Sequence, residues 1–261
     1  MQYILDNSDL PSNNKYDCIV IPIFSAKGKK IELSDAAKQL DKASKGSISS
    51  YIDAGDFKAT LEQTHILYSL NNIKASRVLV VGCGDKDKFD ISSINKATKA
   101  ASNALKSSSI KSASFYLADG FNADDIELAA TQIIIAHADS TYQLLDYKSE
   151  SNNNSKLNKV SVAFSGKGNT SMKNAVKNGA AIAKGMKLSR DLANHPGNIC
   201  TPSFIAETAK AVAKDYTAIK LKILEEKEME KLGMDAFLSV SKGSDEPGKM
   251  IILEYKGAKN S

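Results

Sequence analysis

Apolar and polar positions along this chain fall into short β-branched runs separated by stretches with helical spacing. Cys18-Ile-Val-Ile-Pro-Ile-Phe24 is apolar throughout, which predicts a strand buried on both faces, with Pro22 marking an edge or a bulge because it lacks an amide proton. His65-Ile-Leu-Tyr68 and Arg77-Val-Leu-Val-Val81 predict two further strands. Alanines and a leucine recur at helical spacing over Ser92–Lys106; a strand is expected at Ser114–Leu117 and a helix at Asp124–Ala136. Lys148–Asn158, KSESNNNSKLN, is polar and aperiodic and reads as a surface loop, after which Lys159–Phe164 resumes as a strand able to complete the first sheet. Regular alternation of this kind implies α/β layers around a largely central sheet.

From Thr170 to Leu192 one long helix is predicted, with Met172, Val176, Ala180, Ala183 and Lys187 along one track. Beyond it come a helix at Pro202–Lys214, a strand at Ile219–Leu224 and a charged helix at Glu225–Leu232 that stops at Gly233. Two more strands are predicted, at Ala236–Ser241 and Met250–Tyr255. The expected organisation is a first domain over 1–169, a connecting helix over 170–192 and a second α/β unit over 193–261. That second unit has too few helices and neighbouring strands to bury parallel strands, so exposed apolar edges after Tyr255, with aggregation or borrowed pairing, are expected.

Composition narrows the class. With 261 residues, 42% of them hydrophobic, the chain can bury one large core or two modest ones, which excludes a disordered protein. The net charge of +5 is spread along the chain without a block of like charges, so it describes a solvated surface and leaves nucleic acid only as an alternative partner. Cys18, Cys83 and Cys200 form no CxxC pair and have no histidine placed to complete a zinc set; reduced, buried thiols are the simplest reading. The opening MQYILDNSDLP places Asp6 where a signal peptide needs a continuous apolar run, and no apolar stretch approaches the roughly 18 residues of a membrane span. A soluble, cytoplasmic protein with no membrane partner is expected.

The candidate motifs read as structure. Gly82-Cys-Gly84-Asp-Lys follows a strand, as a dinucleotide fingerprint does, but Asp87 stands where the third glycine belongs, so a tight strand-to-helix turn is expected. Ser165-Gly-Lys-Gly168 lacks the spacing of a phosphate loop, and no GxSxG elbow occurs. Glu225, Glu226, Glu228 and Glu230 scatter around a short helix with Lys227 and Lys231 interleaved, which describes a solvated face and not a metal site. His65 in a strand and His137 in an apolar helix read as structural histidines. In Arg190–Pro202, RDLANHPGNICTP, Pro196 ends one helix, Gly197 and Asn198 tolerate positive φ, and Thr201-Pro202 starts the next; His195 needs no chemistry to explain it.

RDLANHPGNICTP nevertheless resembles the entry to the catalytic domain of the leucyl aminopeptidase (cytosol aminopeptidase) family, with the histidine at 195 departing from the family pattern. LGMDAFLSVSKGSDEPGKMIILEYKG, Leu232–Gly257, resembles the segment that follows, and VLVVGCGDKDKF and TYQLLDYK are similar to parts of the family's N-terminal domain. The resemblance implies a macro-like three-layer α/β N-terminal domain, a connecting helix and the incomplete start of an α/β catalytic domain. It also implies removal of N-terminal residues such as leucine from peptides at two divalent metal ions, manganese or zinc. In the family a lysine, three aspartates and a glutamate hold the metals, the first of them in a GKGxxFDxGG segment that would begin within a few residues of Tyr255-Lys-Gly257. The chain ends at Ser261. The expectation is therefore the N-terminal part of an aminopeptidase, inactive alone, with no catalytic, metal-binding or substrate-binding residue and no metal bound by these residues by themselves. The family's homo-oligomer, a hexamer, is not expected of them either. A macro-like module binding DNA or a nucleotide, and a truncated non-catalytic subunit, are the alternatives.

Overall fold

The computed structural model describes residues 1–6, 10–26, 30–106, 108–121, 125–148, 155–166 and 169–257. The chain divides into two compact units, Met1–Lys187 and Leu188–Ser261.

In the first unit the strands are β1 (Gln2–Leu5), β2 (Cys18–Ala26), β3 (Lys30–Leu33), β4 (Thr64–Tyr68), β5 (Arg77–Asp85), β6 (Ser112–Phe115) and β7 (Lys159–Val162). The helices are α1 (Asp35–Ala43), α2 (Ser47–Asp53), α3 (Ile91–Lys106), α4 (Ile126–Thr141) and α5 (Thr170–Asn194), the last of which runs through the boundary at Lys187. The strands form one sheet in the order β1-β7-β6-β2-β5-β4, with β3 hairpinned onto β2. Strands β1, β7, β6, β2 and β5 are parallel, and β4 closes one edge antiparallel to β5.

Strand β2 shows why the apolar run is continuous. Cys18, Val20 and Phe24 join a core with α3, α4 and α5, whereas Ile19, Ile21 and Ile23 join a second core with α1 and α2 on the other face. Helices on both faces of one sheet make a three-layer α/β/α unit. Pro22 is not at the sheet edge; it sits at the centre, where β2 changes partners. Pairing with β6 ends at Val20, pairing with β3 begins at Ile23, and β5 follows the opposite side as far as Ser25. Val20 accepts from the Tyr116 amide at 2.8 Å, so Pro22, two residues on, turns its missing donor toward the same side, into the gap between β6 and β3. A register shift between Ile23 and Ser25 supplies the predicted bulge.

Strands β6 and β7 and helices α3 and α4 lie where the pattern predicts them, with ends moved by a few residues. Two strands carry no usable signal: β1, at the second edge of the sheet, and β3, each four residues long. Most of the predicted 148–158 loop lies outside the described residues. On α5 the buried positions are Ala175, Val176, Gly179 and Ala183, so the predicted track holds in its middle, while Lys187 at its end is exposed.

The second unit contains the end of α5, α6 (Pro202–Asp215), β8 (Ile219–Glu225), α7 (Glu226–Lys231), α8 (Asp235–Ser241) and β9 (Lys249–Tyr255). Helix α6 begins as expected: Pro202 takes the first position and the Thr201 hydroxyl accepts from the Phe204 amide at 3.3 Å. Gly233 follows α7 with φ +68°, in the left-handed region a glycine enters without strain.

Two expectations fail here. Ala236–Ser241 is helix α8 and not a strand, because a short apolar run fits either period and tertiary contact decides. Leu238 turns inward to Leu224 and Met229, Val240 is left 82% exposed, and the Leu238 and Lys242 amides make helical bonds to Met234 and Leu238. With that strand gone, β8 and β9 pair with each other, and they do so antiparallel, from Ile219↔Tyr255 to Glu225↔Lys249. The two short helices reverse the chain in place of a parallel crossover, and the Lys249 ammonium, 2.6 Å from the Glu225 carboxylate, closes the last pair.

Candidate functional site

The Arg190–Pro202 corner is built by backbone bonds. The His195 amide bonds back to Asp191 at 3.0 Å, Ile199 and Cys200 both donate to the Pro196 carbonyl at 2.9 Å, and Thr201 donates to Ile199 at 2.8 Å. His195 packs edge-on against Phe204, ring centroids 5.3 Å apart, which joins the corner to the first turn of α6. Neither Gly197 nor Asn198 uses a positive φ, so their tolerance of that region is not what the turn requires.

The other histidines differ from each other. His65 is exposed on edge strand β4 and stacks on Tyr51 at 4.6 Å, so it is a surface residue where the sequence suggested a structural one. The reason is position: an edge strand buries fewer of its alternating side chains than a central one. His137 is fully buried between α3 and α4, with Tyr3 and Phe115 edge-on to its ring. The Ser102 hydroxyl donates to the Thr98 carbonyl at 2.7 Å and lies 2.9 Å from His137 Nδ1. A hydroxyl has one proton to give, so Nδ1 carries the hydrogen of that second bond, and Nε2 is left with no partner among the described residues. Burial, aided by the positive chain terminus, holds this imidazole down at about 4. The pair superficially matches a nucleophile and base, but it is sealed from solvent and serves as a structural bond.

Cys18 and Cys83 are buried, and burial pushes both thiols up, Cys18 to about 12; Cys200 is half-buried. Glu225, Glu226 and Glu228 serve the fold. Glu225 and Glu228 form a capping box, and Glu226 accepts from the Gly248 amide at 2.8 Å and the Ser241 hydroxyl at 3.1 Å. Among the described residues no group of three or more His, Cys, Asp or Glu side chains converges as a metal site would require.

Gly82-Cys-Gly84 is not a tight turn. All three residues lie inside β5, which runs on to Asp85. Their task is to admit the 59–63 segment. Gly82 donates to Gln63 O at 2.7 Å and accepts from the Glu62 amide at 3.0 Å, and Gly84 donates to Ala59 O at 2.9 Å. Ala59 and Glu62 hold φ of 54° and 72°, a strained conformation maintained by those bonds and by Gln63, whose side chain bonds Lys58 N and Asp56 O.

At the C-terminal ends of the parallel strands, Asp119 joins three parts of the chain. Its Oδ1 accepts from Ser165 N at 2.9 Å, and its Oδ2 accepts from Ala36 N at 3.1 Å and from the Ser165 hydroxyl. Burial pushes its carboxyl up against the pull of those hydrogen bonds. Asp6, just past β1, accepts from Asn14 Nδ2 and from the Ser114 hydroxyl at 3.0 Å, and Ser161 donates to Ser114 at 2.8 Å. No sequence motif signals these contacts, which join residues 46 to 108 positions apart apart from the Asn14 bond. Of the Ser165–Gly168 turn, Lys167 and Gly168 lie outside the described residues.

Comparison with known proteins agrees with the architecture. Residues 20–151 match the model of the cytosol aminopeptidase family, N-terminal domain, and residues 187–261 that of the cytosol aminopeptidase family, catalytic domain. A probable cytosol aminopeptidase of Nitrosococcus oceani is 37% identical over 254 residues, 96% of this chain and 50% of the relative. One of Burkholderia pseudomallei is 40% identical over 248 residues, 94% and 48% of the two chains. The chain thus spans about half the length of the curated relatives it matches. Among solved structures, a mutant tomato leucine aminopeptidase superposes with a TM-score of 0.80 at 23% identity, over 100% of this chain and 52% of that one. The bottromycin maturation enzyme BotP in complex with Mn gives 0.70 at 21% identity, over 92% and 45%. These two likenesses concern the fold alone, which is mixed α/β.

Proposed function

Because this chain belongs to the cytosol aminopeptidase family, we propose that the whole protein is a cytoplasmic metalloaminopeptidase that removes N-terminal residues such as leucine from peptides. The observation that carries this reading is the catalytic-domain match over 187–261, the stretch that holds α6, β8, α7, α8 and β9. Two divalent ions, manganese or zinc, would polarise the scissile carbonyl and activate a water in that enzyme. Among the described residues no group of three or more His, Cys, Asp or Glu side chains converges as such a pair of ions would need, and no step through a metal is assigned to them. The ligands would come from a part of the catalytic domain other than these residues, with oligomeric assembly belonging to the whole protein as well.

Within the described part of the second unit the contacts join element to element. Strands β8 and β9 are tied by the Glu225–Lys249 pair, and Leu224, Met229 and Leu238 form a small core under α7 and α8. No helix among the described residues is long and apolar enough to cross a membrane.

The test compares leucine p-nitroanilide hydrolysis by the 261-residue chain with that by a version extended through the frame downstream of Ser261, each supplied with manganese or zinc. Turnover confined to the extended version is expected; equal turnover by both would overturn the reading.

A further inference from the structure

We propose that the N-terminal edge of the parallel strands in the first unit is a docking surface for single-stranded nucleic acid. The segments that lead into β7, β6, β2 and β5 carry Lys156, Lys159, Lys111, Lys15 and Arg77, and Lys106 ends α3 on the way into β6. In sequence these six cations are scattered between positions 15 and 159, and the parallel order of the strands gathers them at one edge. Cys18, the first residue of β2, pairs with Arg77 of β5 and Ala113 of β6, and Ser112 of β6 pairs with Lys159 of β7, so the row is continuous. Among the described residues of 15–17, 76–77, 106–112 and 155–159, Asp17 is the one acid. Its Oδ2 is already engaged by the Lys111 and Ser112 amides at 2.7 and 3.1 Å.

The fold does not match these cations with carboxylates. Lys38, Lys86, Lys99, Lys210 and Lys249 each reach one, whereas among the described residues none of the six does. Lys159 lies over the Tyr16 ring at 4.8 Å; the Arg77 guanidinium donates to the Ser109 hydroxyl at 3.0 Å and lies over the Tyr68 ring at 5.9 Å. Lys15, Lys111 and Lys156 stand exposed. Positive charge with no internal counter-charge attracts a polyanion. Neighbouring strands stand about 4.8 Å apart, so the row over four strands is about 14 Å long and spans about four phosphates of one nucleic-acid strand. The cations sit in turns, with α3 giving only its last residue, so neither a helix nor a β-ribbon stands among them to enter a duplex groove. At the end of the row Tyr68, 65% exposed beside Arg77, offers a ring on which an unpaired base stacks. These two features favour a single strand, and the proposal is independent of the aminopeptidase reading.

The experiment titrates a fluorescent oligothymidylate with the 261-residue chain and follows its anisotropy over a range of salt concentrations. Saturable binding is expected, weakening with salt at a log–log slope of about −2 to −3, as about four phosphate contacts to a single strand require. The double variant Lys111→Glu/Lys156→Glu should bind about tenfold more weakly or worse. Lys38→Glu/Lys88→Glu makes the same change of net charge at the opposite edge of the sheet, where α1 begins and β5 ends, and should bind as the parent does. Circular dichroism checks that each variant is folded, and Lys111→Gln/Lys156→Gln replaces the first pair if it is not. A parent chain that ignores the oligonucleotide at low salt, or equal loss in both double variants, would overturn the proposal. So would a duplex of the same length bound as tightly as the single strand, or binding to phosphatidylglycerol vesicles in place of the oligonucleotide.

Discussion

The carbonyl oxygen of Thr60 lies 2.1 Å from the place where a Cβ on Gly82 would stand. No side chain fits there, because the obstacle is backbone held by the bonds from Gly82 and Gly84 to the 59–63 segment. Gly82→Ala should destabilise the first unit by about 3 kcal/mol or more, or prevent its folding, since strand and segment must separate. Gly185→Ala, in α5 with nothing near its would-be Cβ, should instead stabilise by about 0.5–1 kcal/mol. Urea unfolding of both variants checks the pair; a neutral Gly82→Ala would mean that the segment is not held as described.

His137 gives the fold an acid limit. Above pH 6.5 native and unfolded chains both carry the neutral imidazole, and stability is complete. As the pH falls through 6.5 the unfolded chain takes up a proton that the buried ring refuses until about pH 4. The loss between pH 7 and pH 4 is about 3 kcal/mol from this residue. Unfolding free energies measured across that range should fall more steeply for the parent than for His137→Leu. Identical slopes would remove His137 from the account.

Met229 is wholly buried in the small core of the second unit, where Leu224 and Leu238 are its buried neighbours. Met229→Ala should cost about 2–5 kcal/mol locally. Hydrogen exchange should then quicken in β8 and β9 while the amides of β2 and β5 stay protected, because the first unit has its own cores. Uniform quickening across the chain would show the two units to be one cooperative body.

The thiols should separate by reactivity. Burial keeps Cys18 and Cys83 from solvent and from the thiolate form, whereas Cys200 is partly accessible. Disulfide-exchange titration of the native chain should therefore detect one thiol quickly, and all three after denaturation. Rapid modification of Cys83 in the native chain would contradict the packing of β5.

Local pattern alone was enough for the elements with one consistent message. The run from Cys18 to Phe24 specifies a strand covered on both faces, the 92–106 spacing specifies α3, and Thr201-Pro202 specifies the start of α6. Thr201-Pro202 also ends the Arg190–Pro202 stretch that carried the family resemblance, because corner and cap chemistry is written in consecutive positions. Where two readings satisfied the same local pattern, packing chose: Ala236–Ser241 became a helix when Leu238 found Leu224 and Met229, and β9 turned antiparallel once the strand expected between it and β8 was gone.

Other features have no local signature at all. The glycines of β5 look like a turn until the 59–63 backbone is seen lying across them, and Asp119 is an ordinary acidic residue until Ser165 and Ala36 reach it from 46 and 83 positions away. Sequence determined the segments whose local pattern carried a single message and the family to which they are akin, since those depend on neighbours a few residues apart. Tertiary structure alone decided which carboxylate meets which amide, because closing those distances requires the whole sheet to form first.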